Sequence, residues 1–189
     1  MNSTTGHRRA SSGLLTFDWL VCEDLGDEFA DFVGVDAQTG RVVFVHAKHS
    51  KDKHQIGASA LYDVCGQAVK NLEFLRFGTP RLPGSPQKWN GVWKISKKGQ
   101  GEFKVKTRIR GTSKTAKELR DSIISLLSAP NTKREAWLVL GGILSKKALE
   151  QAIQKHAFPP ELLQCFYLVI STYSACKSVG VDLRLFCDE

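Results

Sequence analysis

The sequence predicts an α/β domain: a mixed central sheet with helices on both faces and a basic β-hairpin inserted into it. Three observations predict it. Val33, Val35, Val42 and Phe44 alternate with a strand period around the turn Asp36-Ala37-Gln38-Thr39-Gly40. From residue 58 the apolar period becomes helical, and beyond residue 130 short apolar runs alternate with helical segments. Finally, 189 residues suffice for one domain with a full core and are too few for two comfortable ones. Residues 1–13, rich in Ser, Thr and Gly, are expected as a disordered leader or equally as the end of a linker from a larger protein, and 14–189 as the domain.

Leu14 to Cys22 reads as a first strand, and an acidic turn from Glu23 to Glu28 leads into the hairpin of residues 33–48. If Asp36 pairs with Arg41, antiparallel register sets Asp31 opposite His46, with Lys48 on the same face as His46. His49 to Gln55 is a polar loop. Ala58, Leu61, Cys65, Ala68, Leu72 and Leu75 then define an amphipathic helix to about Arg76, its polar face carrying Ser59, Asp63, Gln67, Lys70 and Asn71. Gly78 to Pro86 breaks the chain. Trp93-Lys-Ile-Ser and Phe103 to Arg110 form a second hairpin, apolar on one face and cationic on the other, with Trp93 and Phe103 expected in the core. Thr115-x-x-Glu118 is a capping box opening a helix that ends at Pro130. Glu135 to Gly142 is a buried strand, Ser145 caps a helix to about His156, and Cys165 to Ile170 reads as another buried strand with a short helix at 173–178. Val181 to Cys187 closes the chain as a strand.

The balance of 42% hydrophobic and 24% charged residues is that of ordinary globular proteins. A net charge of +8 favours an anionic partner. No apolar run approaches the roughly 18–20 residues that span a bilayer, and the N-terminus lacks the apolar stretch of a secretory signal. Cys22, Cys65, Cys165, Cys176 and Cys187 are odd in number and form no C-x-x-C pair, which predicts structural thiols in a reducing, cytoplasmic setting. No Gly-x-Ser-x-Gly elbow and no Walker-type loop is present, so neither a serine hydrolase nor an ATPase is supported.

The chemistry gathers in the first hairpin. Asp31, fourteen intervening residues, His46-Ala47-Lys48 and a following helix that carries Gln67 resemble the PD-(D/E)xK superfamily of restriction-endonuclease-like nucleases. The resemblance covers roughly Asp18 to Arg76. It implies an αβββαβ core and hydrolysis of phosphodiester bonds in DNA, with Mg²⁺ or Mn²⁺ polarising the phosphate and generating hydroxide. By position, Asp31 would be the main metal ligand, with Asp24 or Glu28 as a further acid. Lys48 would serve the attacking water or the charged transition state, and Gln67 would lie near the site. His46 stands where the family has Asp or Glu. Imidazole is a softer ligand than magnesium prefers, so the replacement implies a transition metal, a migrated acid or an inactive site. DNA is the implied partner, with a homodimer or fusion to a helicase-type protein as context.

From Lys88 to Arg120 the chain holds eleven Lys and Arg against Glu102 and Glu118, with Trp89, Trp93 and Phe103 interleaved. Lys94, Lys97, Lys98, Lys104, Lys106, Arg108 and Arg110 are expected to form a nucleic-acid surface that releases counterions on binding. The alternative to the nuclease is a catalytically inactive nuclease-fold module that binds nucleic acid. A third reading is a protein-interaction domain.

Overall fold

A computed structural model of the protein describes residues 17–23, 28–50, 58–97 and 101–188. The leader, Asp24, Lys98 and most of the loop after His49 lie outside the described residues. Six strands form one mixed sheet in the order β6-β1-β2-β3-β7-β8, comprising β1 (Trp19–Cys22), β2 (Phe32–Asp36), β3 (Arg41–His49), β6 (Ile109–Arg110), β7 (Lys133–Gly141) and β8 (Asp182–Phe186). A separate hairpin pairs β4 (Trp93–Lys97) with β5 (Gly101–Val105). β1, β2 and β3 are an antiparallel meander, and Asp36 pairs with Arg41 as the turn predicts. β7 then lies parallel to β3, and β8 parallel to β7. The mixed α/β class is therefore the expected one.

Alternation along β3 sends Val42, Phe44 and His46 to one face and Val43 and Val45 to the other. Two large apolar clusters rest on the first face. One packs Val33, Val42 and Phe44 under Leu119, Ile123 and Leu127 of α3 (Ala116–Ser128) and under α2 (Leu72–Leu75). The other packs Leu138 and Leu140 of β7 under α1 (Ala58–Lys70) and α5 (Pro160–Ser178), and Leu149 and Ala152 of α4 (Lys146–Lys155) join it. The second face carries a smaller cluster of Val43, Val45 and Trp137 with Phe17, Phe32 and Phe186, and no helix residue belongs to it among those described. Phe17 stacks over Gly34, where a Cβ would lie only 2.6 Å from the ring. The helices expected on both faces thus gather over one.

Local signals act where they were read. Thr115 and Glu118 form the complete capping box of α3, and Ser145 accepts the Ala148 N–H at the start of α4. Two readings are corrected. Cys165 to Ile170 is not a strand but the middle of α5, a 19-residue helix with Pro160 in its first turn. Its buried residues, Leu162, Cys165, Thr172 and Cys176, fall at helical steps, but the six-residue apolar run alone is ambiguous between strand and helix. The second correction concerns residues 103–110, which do not form one strand. β5 ends at Val105, and Ile109 and Arg110 pair instead with β1 in the main sheet. Phe103 consequently lies 65% exposed rather than in the core.

Candidate active site at the sheet end

The first strand's end, the second's beginning and the third's end meet at one edge of the sheet. In mixed α/β sheets, the ends of parallel strands commonly carry function, and here β3 and β7 end together at His49 and Gly141. Asp31 sits at this edge, but its register departs from the simple expectation. Pairing of β2 with β3 runs only to Phe32 opposite Val45, and the Asp31 N–H donates to that same Val45 carbonyl at 2.9 Å. Asp31, just before β2, thus bonds to the same residue that Phe32 faces, and the ladder is not continued to His46. Instead of standing opposite His46, Asp31 reaches past it, and its Oδ2 accepts the Ala47 N–H at 2.6 Å.

His46 is buried, 2% exposed, beside Leu138 in the row beneath α1. Burial alone pushes its pKa down to about 4, so the imidazole is neutral at physiological pH. Lys48, two residues on, reaches the surface and pairs with Asp63 of α1, with 3.7 Å between Nζ and Oδ2. Both partners are substantially exposed, so the pair is worth at most about 1 kcal/mol. Gln67 lies one helical turn beyond Asp63 on the exposed face of α1. Glu28 is half-buried just before Asp31.

Asp63 was legible only as part of a polar helix face; its place opposite Lys48 depends on how α1 crosses β3. Glu23 carried still less signal. It follows β1 directly, its N–H donates to the Asp31 carbonyl at 2.9 Å, and its side chain is fully buried. Oε2 accepts a hydrogen bond from Trp89 Nε1 of the 3₁₀ turn Pro86–Asn90, whereas Oε1 has no hydrogen-bond partner among the described residues. Desolvation raises the Glu23 pKa, opposed by that hydrogen bond and by the charges of Lys88, Arg120 and Arg108. Arg120 in turn donates to the Leu82 and Pro83 carbonyls and stacks over Trp89. This cluster fastens the segment leading to the second hairpin beside Asp31.

The donors do not by themselves make a cation site. Among the described residues, no group of three or more His, Cys, Asp or Glu side chains is placed to hold a metal ion. One Asp31 oxygen faces a backbone N–H, and His46 lies under the helix layer.

The cationic surface is only partly as expected. Lys94, Lys104, Lys106 and Arg110 are exposed, and Glu102 bridges Lys94 and Lys104 across the hairpin. Arg108 is corrected: it is 3% exposed, with Nη1 3.4 Å from the Cys22 carbonyl, because the chain turns into β6 at this point. The Lys97 side chain lies outside the described atoms. All five cysteines are free thiols. No helix among the described residues is long and apolar enough to cross a membrane. Compared with family models, curated proteins and solved structures, the chain matches none of them.

Proposed function

We propose that the chain is a nuclease that hydrolyses phosphodiester bonds of DNA at the end of β3. One observation carries the reading: the Asp31 carboxylate and the Lys48 ammonium-bearing chain flank the single residue Ala47 at the edge where β3 and β7 end together. A carboxylate there can orient an attacking water. An ammonium is a compact donor suited to a phosphate that gains charge in the transition state. The exposed cations of the second hairpin supply the sequence-independent hold on a phosphate backbone. Dependence on Mg²⁺ or Mn²⁺ is what the resemblance implies; the described donors do not gather into a cation site, so no step is routed through a metal, and cleavage in chelator decides the matter.

Cleavage of plasmid and oligonucleotide DNA by wild type and by Lys48→Ala, with Mg²⁺, with Mn²⁺ and with chelator, tests it. Cutting that is lost in Lys48→Ala and in chelator supports a metal-dependent nuclease. A second reading, the non-catalytic nucleic-acid-binding module, is favoured by the burial of His46 in place of an acid. Salt-sensitive DNA binding without cutting under any of these conditions would establish that reading and overturn the nuclease.

A further inference from the structure

We propose that the groove between α1 and α5 is a nucleobase site that takes an unpaired base of a single-stranded substrate. It rests on the reading above, because it is the nucleic acid of that reading that brings the base. The groove is open to solvent, with a volume of about 510 Å³, and is lined from α1 by Ser59, Tyr62 and Asp63 and from α5 by Gln164, Tyr167 and Ser171. That volume lies within the roughly 300–1,000 Å³ of small-ligand sites.

Its composition selects the ligand. Tyr62 and Tyr167 are 65% and 62% exposed, an unusual state for two large rings facing one cavity. Around them stand a carboxylate, an amide and two hydroxyls. An aliphatic partner would leave these polar groups facing apolar surface. A flat aromatic body with donors and acceptors along its edge satisfies both parts of the lining. Asp63 can accept from an exocyclic amine or ring N–H, and the Gln164 amide can both donate and accept.

Position selects the source. Asp63 lines the groove and also pairs with Lys48, so a base seated there leaves its own phosphate beside the candidate active site. The net charge of +8 draws a polyanion to the molecule as a whole, and Asp63, the one charged residue lining the groove among those described, is paired with Lys48.

Binding of a short fluorescein-labelled single strand and of the corresponding duplex, measured by anisotropy in chelator so that nothing is cut, tests the site. Stacking of one base on an aromatic ring is worth about 1–3 kcal/mol, or roughly 5- to 150-fold in Kd. Tyr62→Ala and Tyr167→Ala should each weaken single-strand binding within that range. Tyr62→Phe and Tyr167→Phe should keep it, and duplex binding should stay unchanged. Matching thermal melts confirm that the variants fold. The inference is overturned if the alanine variants bind single strands as wild type does, or lose single strand and duplex equally. It is also overturned if sedimentation shows a dimer that Tyr167→Ala dissociates, since the groove is then a self-interface. Failure of the two readings is distinguishable. A protein that cuts nothing yet binds single strands through its tyrosines loses the nuclease alone, and one that cuts but ignores the tyrosines loses only the base site.

Discussion

His46 should make the fold acid-labile, by an amount that follows from its burial. An imidazole in water titrates near 6.5, and in the folded chain desolvation lowers that to about 4. Below pH 6.5 the unfolded chain takes up a proton that the folded chain refuses, so stability falls as pH drops. The loss is complete near pH 4, where the folded form also protonates. A difference of about 2.5 units at 1.36 kcal/mol per unit comes to about 3 kcal/mol. Glu23 acts with the opposite sign: its raised pKa favours the protonated folded state, so its contribution declines as pH rises above the ordinary carboxyl value. The two windows overlap, which makes the wild-type profile alone uninformative. The assay is urea unfolding from pH 7.5 to 4 on wild type and His46→Leu, which has no proton to bind. The difference between the two curves isolates the histidine. Subtracting the variant's stability from that of wild type should give a value that falls by about 3 kcal/mol across the window. Parallel curves, or an NMR titration placing His46 near 6.5, would refute the burial argument.

Three further outcomes follow from the packing. Gly34→Ala sets a methyl against the Phe17 ring and should cost about 1–3 kcal/mol in chemical denaturation, much of it recovered by adding Phe17→Ala; additive costs would show that the ring moves aside freely. Trp89→Phe removes the hydrogen bond to the fully buried Glu23 carboxyl and should cost about 2–3 kcal/mol, whereas a loss under about 0.5 kcal/mol would mean that Glu23 finds another donor. Thr115→Ala deletes the capping box of α3 and should cost about 1 kcal/mol, read from the urea midpoint at unchanged slope.

The elements easiest to read were those with a strictly local cause. The turn from Asp36 to Gly40 fixes the hairpin through the Asp36 side chain, which accepts the Thr39 N–H, and through the left-handed Gly40, so the register near the turn needed no other information. Thr115, Ser145 and the heptad-like spacing of α1 are equally local. The position of Asp31 departs from simple register because the ladder ends at Phe32 opposite Val45, and where a ladder ends leaves no mark in apolar alternation. The run at Cys165 to Ile170 reads as a strand because its six residues satisfy two periods, and the helical choice is made only when the whole of α5 covers Leu138 and Leu140.

By itself the sequence determined the alternation, the turns and the caps, each a property of neighbouring residues, and the net positive charge, a sum over the chain. Tertiary structure alone decided which charged groups leave water. Glu23, His46 and Arg108 look like ordinary polar residues in the chain, yet all three are at most 3% exposed. Their burial depends on elements distant in sequence, namely Trp89 over Glu23, α1 over His46 and β6 beside Cys22. Such contacts form only when the sheet closes, and no local pattern encodes them.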